Sequence, residues 1–174
     1  MKIGLYVLSI VCLLLIGCGD EKDSTPLVET TNKNQKPAIT SKAIEDFDYT
    51  DYALSPESEE ALANWEKYQE LAIQIGYLKK ADLSFFNGEI EDLKKFIDQF
   101  KTETPKQLLT NSIISRTAIL ETMLLKLNEN LTLENIDDKL KLLSVRELLV
   151  AFSNLNYQIN KKLESDIFNE IQPE

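Results

Sequence analysis

Thr104-Pro105-Lys106-Gln107 opens the stretch that decides the fold, and Leu109, Ile113, Thr117, Leu120, Leu124, Leu127 and Leu131 follow it. The first four residues have the form of a capping box: threonine at the cap, proline at the first helical position, glutamine three residues on. The apolar positions then recur at steps of four and three, the heptad alternation that keeps one face of an α-helix apolar. A strand would alternate every second residue, and this stretch does not. The residues from Asn128 to Asn135 break the pattern and predict the end of this helix.

The same signals recur on both sides. Upstream, Ser55-Pro56-Glu57-Ser58 predicts a helix start, with serine as cap, proline in the first turn and acids at the positive end of the dipole. Leu62, Trp65, Tyr68, Ala72 and Ile75 then mark one buried stripe, which predicts a helix running to about Lys80. Phe86, Ile90, Leu93, Ile97 and Phe100 form a second stripe. Ile75, Lys79, Asp82 and Phe86 keep one phase across the join, so residues 56–102 form either one bent helix or two; the reading adopted is two. Downstream, a start near Thr132 or Asn135 leads into Ile136, Leu140 and Leu143, and the stripe continues through Val145, Leu149, Phe152, Leu155, Ile159 and Leu163 toward Ile167 and Ile171. The expected fold is all-α: an antiparallel bundle of about four helices over residues 52–174.

Composition narrows the chemistry of that bundle. The chain has no histidine, so neither a Ser-His-Asp triad nor a His-containing zinc site can be built. Lysine and arginine number 19 against 29 acids, a formal charge of −10 that repels phosphate backbones and speaks against nucleic acid as a partner. No Gly-rich phosphate loop is present. The acidic clusters Glu89, Glu91, Asp92 and Asp137, Asp138 lack the alternating oxygen spacing and turn glycine of a calcium loop, and read as solvated helix faces. No catalytic residue, cofactor or metal is implied, and the domain is read as non-enzymatic.

The amino-terminal third reads differently. Met1-Lys2 precedes an apolar run from Ile3 to Ile16 of about 14 residues, short of the roughly 20 that span a bilayer and suited to the h-region of a signal peptide. It ends in Leu15-Ile16-Gly17-Cys18. This pattern of apolar, apolar, small and cysteine resembles the lipobox of bacterial lipoproteins. That resemblance implies cleavage after Gly17, with Leu15, Ile16 and Gly17 as the peptidase's recognition residues, and lipidation of Cys18 through diacylglycerol and N-acyl groups. Residues 1–17 are then a cleaved leader, and membrane contact comes from the lipid. Of the two cysteines, Cys12 leaves with the leader and Cys18 is acylated, so the mature chain has no disulfide.

Residues 18–51 carry no sustained apolar period, and Ser24-Thr25-Pro26 and Thr30 to Pro37 are polar and proline-punctuated. They are expected to form a flexible tether with an r.m.s. span of roughly 30 Å. Gly19-Asp20-Glu21-Lys22-Asp23 resembles the export signal by which many lipoproteins of the Bacteroidota reach the outer face of the outer membrane. Asp23-Ser24-Thr25 resembles the short O-glycosylation motif of that group, which implies Ser24 as an acceptor. Lipobox, acidic tether and Lys/Asn/Ile-rich helices together are similar to the small helical lipoproteins of the Bacteroidota, a resemblance that implies a cell-envelope address and no activity.

Between tether and bundle, Ile44, Phe47, Tyr49, Tyr52 and Leu54 form an acidic and aromatic lead-in that either packs across the bundle or docks a partner. Arg116 and Arg146 are the only arginines. They read either as an anion or partner contact, since guanidinium forks bind carboxylates bidentately, or as packed stems whose heads pair with an acid such as Glu121 or Glu147. Trp65, Tyr68, Tyr77, Phe85 and Phe86 read as core, with a ligand pocket or partner groove as the alternative. The expected function is a lipid-anchored interaction module presenting a helix face to an unknown envelope protein. The alternative is a small-ligand-binding lipoprotein with a pocket between helices.

Overall fold

The computed structural model describes residues 39–171, and these are all-helical. Leu15, Ile16, Gly17, Cys18 and Ser24 lie outside the described residues. In chain order the α-helices are α1 (Ser41–Glu45), α2 (Pro56–Ala61), α3 (Glu66–Lys79), α4 (Ile90–Thr102), α5 (Asn111–Thr132) and α6 (Asp138–Ile171), with a 3-10 turn at Lys106–Leu108. α5 and α6 have 22 and 34 residues, whereas α3 and α4 have only 14 and 13. α5 and α6 make the most extensive contact and form an antiparallel hairpin, pinned by Lys126 and Glu147 at 2.6 Å. Ile113, Leu120, Leu124 and Leu127 of α5 and Leu148, Leu149, Leu155 and Ile159 of α6 belong to one buried core, with α3 and α4 contributing Leu71, Ile75, Leu78, Leu93, Ile97 and Phe100.

Ser55 caps α2 as expected, its side chain accepting from the Ser58 N–H, but the helix stops at Ala61 rather than running to Lys80. The chain bends over Leu62 to Trp65 so that both of those side chains are fully buried. The bend is stable because Gln69 Nε2, one turn into α3, donates to the Leu62 carbonyl at 3.1 Å. Residues 56–102 are therefore three helices. The boundary between α3 and α4 follows from Ala81 at φ 64°, which ends α3 in a left-handed turn. Its N–H donates to the Leu78 carbonyl (2.9 Å) and the Asp82 N–H to the Tyr77 carbonyl (3.0 Å), the paired bonds of a Schellman cap.

The capping box at Thr104 does not start a helix. Pro105 leads into the 3-10 turn, which buries Leu108 completely, and the true cap is Thr110, whose side chain accepts from the Ile113 N–H. Leu109 falls before the helix and stays 52 % exposed. Nor does Asn128 break α5. It is buried inside the helix, where Nδ2 donates to the carbonyls of Phe86 (3.0 Å) and Gly88 (2.8 Å) and ties the α3–α4 connection to the bundle. α6 begins later than expected, after Asp137, whose carboxylate accepts from the Lys139 N–H at 2.8 Å; Leu140 and Leu143 in its first turns are exposed.

The boundary between tether and bundle also shifts. Residues 39–51 are packed rather than free: Ile44 is buried in α1, and Ile39, Phe47, Tyr49 and Leu54 lie against the core. The lead-in packs across the bundle.

Candidate functional site

Leu109, Ile114, Ile167, Phe168 and Ile171 are exposed toward the end of the hairpin opposite its loop, while Leu133, Leu140 and Leu143 are exposed at the loop end. Counting the antiparallel register from Lys126 and Glu147 places Asn111, the first residue of α5, opposite Lys162. Beyond that point α6 continues to Ile171 with no α5 beside it. The apolar seam of α6 does not stop there. Phe152, Leu155 and Ile159 are buried and Leu163 is half-buried, but Ile167 is 43 %, Phe168 59 % and Ile171 72 % exposed. Exposure rises along one helix face as the covering helix runs out. Ion pairs of Lys161 with Glu164 (2.6 Å) and of Lys162 with Asp166 flank the seam, so its charged neighbours are mutually satisfied.

A second apolar surface lies at the same end. Leu109, Ile113, Ile114, Thr117 and Ala118 line a groove of about 170 Å³ at the start of α5, and Ile114 is 50 % exposed. Lys101 and Glu121, paired at 3.0 Å, close one edge. That partnership raises the Lys101 pKa, through the hydrogen bond to Glu121 first and against the opposing effect of burial.

The larger hollows are open; one of about 500 Å³ is lined by Leu54, Tyr68, Ala72, Phe152 and Asn156 with a single acid, Glu59, and those along α4 are charged. One of about 390 Å³ between α3 and α4 is lined by Lys67, Glu70, Glu89, Asp92, Phe85 and Phe96, among others. Lys67 bonds Glu70 at 2.7 Å, which raises its pKa, and its ammonium sits 5.3 Å from the Phe96 ring centre. The cation there is already partnered. Among the described residues no cluster of three or more carboxylate or thiol side chains is placed to hold a metal.

The arginines are not brought together. Arg146 Nη2 donates to the Asp48 carbonyl at 2.9 Å, holding the lead-in, while Arg116 is exposed near the start of α5. By the hairpin register the two stand about ten residues, or ~15 Å, apart along the axis. Their expected acid partners are taken by lysines, Glu121 by Lys101 and Glu147 by Lys126. Trp65, Tyr68 and Phe86 are core, and Phe85 is half-buried against it. Trp65 Nε1 donates to the Phe100 carbonyl at 3.0 Å, and its ring lies 4.6 Å from that of Phe100. Tyr77 alone of the five is substantially exposed.

The overhang of α6 was written in the sequence as the continuation of the stripe to Ile167 and Ile171; that these residues lack a cover follows only from the lengths of α5 and α6. The chain matches no protein-family model, no curated protein and no solved structure.

Proposed function

We propose that this chain is a lipid-anchored protein of the bacterial cell envelope, non-enzymatic, whose helical bundle presents one end to another envelope component. Leu15-Ile16-Gly17-Cys18 supports the anchor, and the acidic residues behind Cys18 favour the outer membrane and its exposed face. The observation that carries the interaction reading is the uncovered seam of Ile167, Phe168 and Ile171. Large apolar side chains continuing a core stripe past their cover are most stable when something else covers them. The Leu109 and Ile114 groove adds apolar surface at the same end.

The small-ligand alternative has less to rest on. Ligand pockets are usually apolar clefts of about 300–1,000 Å³ with a few polar groups. Here the apolar groove holds only about 170 Å³, the hollows along α4 are lined by charges, and the hollow of about 500 Å³ beside Tyr68 and Phe152 is open to solvent.

A photo-crosslinking amino acid in place of Phe168, in intact cells, tests the proposal. The expected result is an adduct of one discrete mass that weakens at least about ten-fold when Ile167 and Ile171 are changed to lysine. Equal labelling from Phe168 and from an exposed polar position such as Lys94 would contradict it.

A further inference from the structure

Four polar side chains on one face of α6 hold an extended piece of the chain's own backbone. Arg146 Nη2 donates to the Asp48 carbonyl at 2.9 Å. Ser153 Oγ donates to the Thr50 carbonyl (2.6 Å) and accepts from the Tyr52 N–H (2.8 Å). Asn156 Nδ2 donates to the Tyr52 carbonyl at 3.0 Å, and its Oδ1 is fixed by the Tyr68 hydroxyl at 2.7 Å. Asn160 donates to the Ala53 carbonyl (2.8 Å) and accepts from the Ser55 N–H (3.0 Å). Steps of seven, three and four residues keep this ladder on one side of the helix.

Every rung reads main chain, not side chain. Apolar seats add register: Ile44 is buried, Phe47 and Leu54 pack on the core, and the Tyr52 ring lies 4.7 Å from that of Tyr157. α6 thus carries a peptide groove filled in cis by residues 39–55.

We propose that residues 39–55 are an exchangeable strap, and that the α6 ladder takes the same strap from a second copy of this chain. A segment matching the groove's backbone spacing and apolar seats is present on every copy. Within the described residues the strap joins the bundle through a single junction, Ser55-Pro56. Ser55 is extended there (φ −75°, ψ 160°), the conformation favoured before a proline, and its side chain caps α2, so the strap leaves by rotation upstream of Ser55 with α2 intact. Few of its side chains are fully buried, which places its opening below global unfolding.

Exchange preserves the rungs to Asp48, Thr50 and Tyr52, while the Ser55 N–H stays with Asn160 of its own copy at the junction. The equilibrium between monomer and exchanged dimer is therefore set by concentration and by the junction, while the ladder, which must break in cis first, sets the rate. The proposal does not depend on the lipid anchor.

The test uses the full chain with Cys12 and Cys18 replaced by serine, so that introduced thiols are the only ones. Tyr52→Cys is placed in one chain and Tyr157→Cys in a second, tagged chain, and the mixture is treated with a short bismaleimide. Exchange predicts a crosslink between the unlike chains that grows with protein concentration. Ser153→Ala in both should speed its appearance about ten- to thirty-fold, for two lost hydrogen bonds, and leave its plateau within about two-fold. No unlike-chain crosslink at any concentration overturns the proposal. So does a plateau that collapses with Ser153→Ala, which would mean the ladder makes new contacts instead of exchanging old ones. Both substitutions in one dilute chain should crosslink internally; failure there would remove the strap from its groove altogether.

Discussion

Asn128→Ala should be among the most damaging single changes in the domain. The side chain is buried near the C-terminal end of α5, and both of its amide hydrogens are used, on the Phe86 and Gly88 carbonyls. Two hydrogen bonds at about 1 kcal/mol each are lost, and the Phe86 carbonyl, beside a fully buried ring, is left without a donor, adding about 1 kcal/mol or more. Alanine's better helix propensity returns roughly 0.5 kcal/mol. The net cost is about 2–3 kcal/mol, a large share of the roughly 5–15 kcal/mol that a domain of this size holds. Urea titration followed by fluorescence reads it directly, because Trp65 is the single tryptophan and is fully buried. With a slope of roughly 1–3 kcal/mol/M, the midpoint should fall by about 0.7–3 M. Asn128→Asp supplies an internal comparison. An ionised carboxylate has no hydrogen to donate and would face two carbonyls, so its pKa in the fold is raised by burial and like polarity. The penalty is therefore full near pH 7 and shrinks as pH falls through the raised folded value toward about 3.9. A loss below about 0.5 kcal/mol for Asn128→Ala, or a pH-independent penalty for Asn128→Asp, would refute the role given to this amide.

Two further changes probe other parts of the frame. Ala81 sits at φ 64°, where a Cβ is strained, so Ala81→Gly should stabilise by about 0.5–1 kcal/mol, net of its small loss of packing; a destabilised variant in thermal denaturation would argue against the left-handed cap. The neutral Tyr68 hydroxyl donates to Asn156 Oδ1, and burial first, then the charge of Glu59, pushes its pKa above the ordinary value near 10. The neutral form is the one the fold favours, so stability should be complete below about pH 10 and decline as pH rises toward the folded pKa. Tyr68→Phe should shallow that alkaline decline in denaturation series; Tyr49, raised also by burial, leaves part of it in place.

Helix type and apolar stripes were legible in the residues; several boundaries were not. Leu120, Leu124 and Leu127 are in the core because a seam at steps of three and four has only one way to be buried. Thr104-Pro105 looked like a helix start by local chemistry, yet Thr110 caps α5 and the intervening 3-10 turn buries Leu108 in place of Leu109. Tertiary packing decided between two plausible threonines. The bend at Leu62–Trp65 depends on Gln69 reaching back to the Leu62 carbonyl, a contact no propensity encodes. Asn128 looked like a breaker because its partners lie 40 and 42 residues away. Of the polar ladder only Arg146 stood out, and Ser153, Asn156 and Asn160 were silent. Spaced along one helix face, such residues read as solvated until an extended backbone is laid across them.

The lipid anchor is tested most directly by mass spectrometry of the amino-terminal peptide of the mature protein extracted from membranes. The proposal predicts Cys18 as the first residue, carrying diacylglycerol on sulfur and an acyl chain on nitrogen. It further predicts that Cys18→Ser yields an unlipidated chain that is no longer retained by the membrane. A mature chain that still begins with residues before Cys18, or a Cys18 with a free thiol in membrane-retained protein, would contradict it.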